Sequence, residues 1–314
     1  MNVKKITDNF LKYIDKLFIY KKNDDINVNF YKKIVENTNI IEKINFLSND
    51  YKNIPKNYKC FMYKYNKYIK IKIYINNDIN LDNDIKKIRK ILNYYKELYK
   101  NNIIDKKNWK NKLVIHIYFI NYKKTFLKDL NFDNINSGIT MYNDIIIFKK
   151  EEYIKVLIHE LIHFYKKDFK YLYNYQNKYI KVISSLKIID NIININESFV
   201  ECITFIIYII LLSNDKEDFI KKFILEIDYS YLLLKKLLIV NNKNNNNIQN
   251  DIFYYYQDTH VFSYYILKYL LLDKIDIIIK IFLNYKNKSY KYLENKYLKI
   301  VDETISSKIL FNIE

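Results

Sequence analysis

The sequence predicts an α+β fold, predominantly helical, in two lobes. Three observations carry this reading. Period-two apolar patterning is confined to residues 58–149, helical periodicity takes over at Lys150, and nothing beyond residue 170 reads as a strand. At 314 residues the chain is long enough for two modest domains, or for one domain in two lobes around a cleft. The expected division is an N-terminal helical segment at 1–50, an α/β lobe with a small mixed sheet at 51–170, and a helical C-terminal lobe at 171–314.

Residues 1–50 read as polar, Lys/Asn-rich helices with weak amphipathic pattern. Lys59–Tyr65, a turn at Asn66–Lys67 and then Tyr68–Ile75 form a predicted β-hairpin, with Ile69, Ile71, Ile73 and Ile75 on one face. Leu81–Tyr99 follows as a helix, Leu113–Ile120 as an apolar strand and Thr140–Lys149 as another. Gly138, the sole glycine, marks a place where the backbone needs positive φ or a close approach. From Lys150 a helix is expected whose stripe is Ile154, Leu157, Ile158, Leu161, Ile162 and Tyr165. Glu151 and Glu152 in its first turn and Lys166 and Lys167 in its last would suit the helix dipole. Further helices are expected near 171–187, 197–213, 216–240, 259–273, 275–284 and 289–299, with Asn241–Asn250 as a low-complexity loop.

Composition excludes several classes. Half the residues are hydrophobic and 28% are charged, which rules out a disordered chain. One Gly and one Pro (Pro55) rule out collagen-like readings. The net charge of +18 invites a nucleic-acid reading. Yet Arg89 is the only Arg, and the abundant Lys, Asn, Ile, Tyr and Phe all have A/T-only codons, so the charge reads as drift in an AT-rich genome. Phosphate and base recognition favours the rigid fork of Arg. Nucleic acid is therefore possible as a partner but not favoured.

Two cysteines, Cys60 and Cys202, make no disulfide framework and point to a reducing compartment as buried, inert thiols. The N-terminus has no continuous apolar core like that of a signal peptide. The longest apolar run, Ile203–Leu212, is about half the length needed to span a bilayer, so no membrane span is expected. A soluble, intracellular protein follows.

The chemistry concentrates in His159-Glu160-Leu161-Ile162-His163. Positions i and i+4 of a helix lie one turn apart on the same face, so both imidazoles can reach one metal ion. Glu160 stands beside them, able to hold a water on that ion and accept its proton. With only 4 His in the chain, the chance occurrence of this pattern is roughly 0.006. A catalytic zinc needs a third protein ligand. In Asn196-Glu197-Ser198-Phe199-Val200-Glu201, two carboxylates one turn apart open a helix that is otherwise apolar. Buried, they need partners. A metal for Glu197 and the distal N–H of a ligand histidine for Glu201 would supply one each. The bland alternative is that a helix N-terminus simply favours acidic residues.

H-E-x-x-H followed by a helix bearing N-E-x-x-x-E resembles the gluzincin class of zinc metallopeptidases. The run SGITMYNDIIIFKKEEYIKVLIHELIHFYKKDF, with NESFVE and THVFSYYILKYLL beyond it, is similar to uncharacterised zincin-like proteins of large DNA viruses. The resemblance covers roughly residues 135–270. It implies a zincin-like two-lobed fold, a zinc ion (Zn2+) on His159, His163 and Glu197, and Glu160 as general base acting on a peptide or protein substrate. It also implies a host-cytoplasm or virion location. The gap from His163 to Glu197 is longer than in the best-known gluzincins, and Asp168 competes as third ligand or as support for the site. The resemblance assigns the oxyanion to a donor of the C-terminal lobe, here His260 with Tyr264 or Tyr265 assisting; the bland alternative for His260 is a helix cap. It further implies that Thr140–Lys149 is an exposed edge strand on which a substrate peptide can pair. His116, within an apolar strand, is assigned to structure. Two rivals stand beside the peptidase: a zinc-binding but inactive structural or virion protein, and a basic nucleic-acid-binding protein whose tyrosines stack on bases.

Overall fold

The structure is a computed structural model that describes residues 7–21, 31–35, 40, 44, 47, 52–53, 58–76, 79–104, 109–121, 135–165, 194–244, 261–284 and 290–308. The expected helix at 171–187, the start of the one at 259, and Lys166, Lys167, Asp168 and His260 all lie outside the described residues. The chain is α+β and mostly helical, with a small mixed sheet. It divides into two compact units, Ile19–Thr125 with Phe132–Lys167, and Met1–Phe18 with Phe126–Asn131 and Asp168–Glu314.

The first unit holds the sheet. Its strands are β1 (Tyr31–Val35), β2 (Lys59–Lys64), β3 (Ile69–Ile75), β4 (Leu113–Tyr118), β5 (Gly138–Met141) and β6 (Asp144–Ile147). They lie in the order β1-β2-β3-β4-β6-β5. Pairing is antiparallel for β1/β2, β2/β3 and β5/β6, and parallel for β3/β4 and β4/β6. A parallel neighbour needs a crossover, and between β3 and β4 helix α2 (Asp82–Lys100) supplies it. Asn66 makes the β2–β3 turn, its Oδ1 accepting from the backbone N–H of Tyr68 and Ile69.

Register sorts the side chains. Ile71 pairs with Ile115 and Ile115 with Ile145, while Ile73 pairs with Ile117 and Ile117 with Ile147, and all six are fully buried. Each such burial contributes roughly 1.5–3 kcal/mol against an ordering cost near 0.5–1 kcal/mol, so this face forms as a block. The opposite face carries Cys60, Tyr74, Tyr118, Ile146 and Phe148 in one cluster, with Ile139 and Met141 packed against it. Tyr74 and Tyr118 stack with centroids 4.0 Å apart.

His116 lies on this second face, and both ring nitrogens are satisfied. Nδ1 meets the Tyr74 hydroxyl at 3.0 Å and Nε2 meets Asp144 at 3.2 Å. Burial lowers its pKa to about 4, although the Asp144 carboxylate opposes the shift. The folded state therefore refuses a proton that the unfolded chain accepts below its ordinary value of 6.5. Stability from this residue is intact above pH 6.5 and is lost at up to about 1.4 kcal/mol per pH unit as pH falls toward 4. Thermal melts of metal-free protein should show this slope, and His116→Gln should flatten it. Equal slopes in both proteins would refute the assignment.

Three expectations need correction here. Residues 31–35, read as part of a helical segment, are strand β1. Thr140–Lys149, read as one strand, is a hairpin of β5 and β6 around Tyr142 and Asn143, and of these two only β5 lies at an edge of the sheet. Tyr142 turns the chain with φ at 52°, a left-handed conformation that a tyrosine does not advertise. Glu151 and Glu152 precede the next helix instead of opening it, and Glu152 is its left-handed N-cap residue at φ 59°.

The second unit is helical: α1 (Asp8–Phe18), α4 (Ile195–Leu212), α5 (Lys216–Asn244), α6 (Lys268–Leu271) entered through a π-helical turn at Phe262–Leu267, α7 (Ile275–Leu283) and α8 (Tyr290–Lys308). Helix α3 (Tyr153–Phe164) belongs to the sheet unit. Helix α5 runs through Asn244, so the expected asparagine loop begins later than Asn241. Helix α4 is the hub and touches α1, α5, α6, α7 and the π-helical turn. Its 18 residues are long and apolar enough to cross a membrane, but 83% of that window is buried inside the molecule, as in a core helix. Phe205 of this helix meets Phe223, which interlocks with Phe10 and Phe219.

Candidate metal centre

Helix α3 follows the β5–β6 hairpin and lies against both strands. Leu157 through Ile162 are six consecutive buried residues, so α3 presents apolar groups to more than one side. The Tyr95 hydroxyl ties it to α2 through the Ile158 carbonyl at 2.8 Å. This fixed helix carries His159 and Glu160, both buried, and His163, half-buried. One helical turn brings the two rings to 4.8 Å between centroids and the two Nε2 atoms to 3.0 Å.

Glu160 would be costly as a lone buried carboxylate. Strand β5 accommodates it. Thr140 Oγ1 lies 2.8 Å from Glu160 Oε2 and 3.1 Å from the Glu160 carbonyl. Gly138 takes an ordinary negative φ, so the close approach is what demands glycine. A Cβ there would fall 2.6 Å from Val156 Cγ1, 3.2 Å from Glu160 Oε1 and 3.3 Å from the Ile146 carbonyl. Val156 is stiff at χ1 and the carbonyl is backbone, so neither yields cheaply. Gly138→Ala should cost about 1–3 kcal/mol and lower the melting temperature; a wild-type melting temperature would show that β5 and α3 have room to spare.

Glu197 stands in the first turn of α4 and is buried. The helix N-terminus favours its charge. Asn194, the N-cap, accepts from the Asn196 N–H at 3.2 Å and donates through Nδ2 to Glu197 Oε1 at 3.2 Å. The Ser198 and Tyr297 hydroxyls, 2.6 Å apart, both reach the Ile195 carbonyl and pin this turn.

His159 and His163 on α3 and Glu197 on α4 each offer one ligand atom, and the three could hold a metal ion. The donor set fits zinc, which takes imidazole and carboxylate at about 2.0–2.2 Å, and two imidazole nitrogens on a tetrahedral zinc stand about 3.3 Å apart. Two imidazoles and one carboxylate are a donor set less suited to Mg2+ or Ca2+, which prefer oxygen donors.

The other expected site residues fall as follows. Glu201 is half-buried, one turn after Glu197 on α4. Tyr264 is half-buried on the π-helical turn, with its ring centroid 6.4 Å from that of Tyr265. Cys60 and Cys202 are free and buried, and burial raises both thiol pKa values, so neither is a ready nucleophile. Sequence reasoning passed over Thr140 and Asn194. Thr140 carries no local signal, because its partner Glu160 lies 20 residues on. Asn194, an N-cap residue type immediately before an apolar helix, could have been found by capping preference.

No protein-family model, curated protein or solved structure matches the chain.

Proposed function

We propose that the chain is a zinc-dependent peptidase with a zincin-like arrangement, acting inside the cell on a peptide or protein substrate. The observation that carries this reading is the pair of imidazoles on α3, His159 and His163, with Nε2 atoms 3.0 Å apart and Glu160 between them in sequence, to which Glu197 could add a third ligand. Zinc, when bound, would polarise the scissile carbonyl and acidify a water. Glu160 takes the proton of the attacking water and returns it to the departing amine. Glu201 orients a ligand imidazole by accepting its distal N–H, and Tyr264, with His260, donates to the developing oxyanion.

Strand β5 supports the same reading. Among the described residues it pairs with β6 alone and ends the sheet. Its free edge offers N–H and C=O groups to an extended peptide, placing the scissile bond beside Glu160.

The test is hydrolysis of fluorescein-labelled casein by purified protein, with and without 1,10-phenanthroline. The reading expects cleavage that the chelator stops and added zinc restores. Zinc-loaded protein that cleaves neither casein nor a broad peptide library would contradict it.

A further inference from the structure

We infer that Thr140 is the positioning residue of the general base, holding the Glu160 carboxylate in the orientation from which it accepts a proton; this rests on the peptidase reading above. The Thr140 hydroxyl has one proton and two acceptors in reach, Glu160 Oε2 at 2.8 Å and the Glu160 carbonyl at 3.1 Å. The shorter contact is to the charged acceptor, which makes the stronger bond. It fixes one carboxylate oxygen, Oε2, and with it the orientation of the group.

The strand limits Oε1 as well. Oε1 lies 3.2 Å from where a Cβ on Gly138 would stand, so the absence of that Cβ gives it room. Register puts Gly138 opposite Ile147 and Thr140 opposite Ile145, on the face that α3 covers, while Ile139 and Met141 join the cluster on the other face. A glycine and a threonine two residues apart therefore frame one carboxylate, the glycine by yielding space and the threonine by a hydrogen bond. A glutamate side chain has three rotatable torsions, and the chemistry needs one setting of them. The hydroxyl never gives up its proton, so Thr140 acts only through Glu160.

Thr140→Val removes the hydroxyl and keeps a β-branched side chain suited to a strand. Thr140→Ser keeps the hydroxyl. Zinc-loaded wild type, T140V and T140S are compared on a quenched-fluorescent peptide cleaved by the wild type, with zinc content measured for each. In T140V, kcat should fall roughly ten- to a hundredfold with KM within about twofold and zinc unchanged. T140S should recover most of the loss. If T140V does not fold, Thr140→Ala carries the same comparison. A wild-type kcat in T140V, a T140S as slow as T140V, or loss of zinc in folded T140V would each overturn the positioning role. Wild-type protein that binds zinc but cleaves nothing overturns the peptidase reading itself and removes Thr140's role with it.

Discussion

Glu160→Gln should leave a bound metal in place and cut hydrolysis by orders of magnitude. The amide has nearly the shape of the carboxylate and can still accept from Thr140, which lies 2.8 Å from Oε2 in the native chain. It cannot take a proton from water. General-base removal costs roughly 10²–10⁴-fold in rate. Zinc content and peptide cleavage measured on one preparation check this. Cleavage by E160Q at the wild-type rate would contradict the assigned chemistry.

Glu197→Gln should do the opposite and weaken the metal first. The two histidines remain 3.0 Å apart at Nε2, but the anionic oxygen donor is gone. Loss of groups that merely support ligands already weakens metal binding roughly 10- to 100-fold, so loss of a ligand should exceed about a hundredfold. Competition with a chromogenic zinc chelator reads the change. The fold should survive, because Asn194 still caps α4 and the Ser198–Tyr297 pair still holds its first turn. Unchanged zinc affinity in E197Q would transfer the third-ligand role elsewhere.

Much of the sheet and the site was legible in the residues. The alternation of Ile69, Ile71, Ile73 and Ile75 fixed their common face, and all four are buried. Two of four histidines at helical spacing pointed to two of the three residues that could hold an ion, and the carboxylate pair opening an apolar helix pointed to Glu197. What escaped reading escaped for a physical reason. Turns are normally announced by Gly and Pro, and this chain has one of each, while asparagine is spread through helices and loops alike. The β5–β6 turn falls on Tyr142 and Asn143 between two apolar runs, so it read as an interruption of one strand. Strand β1 is five residues with no alternation to mark it. The Thr140–Glu160 bond joins residues 20 apart and leaves no local trace.

The central claim is that His159, His163 and Glu197 together hold one divalent ion. Elemental analysis of the purified chain, washed free of loosely held metal, tests it most directly. The account predicts close to one zinc per chain in the wild type and almost none when His159 and His163 are both replaced by Ala. Wild-type protein carrying no metal after growth in zinc-sufficient medium, or a double variant that retains the wild-type amount, would contradict it.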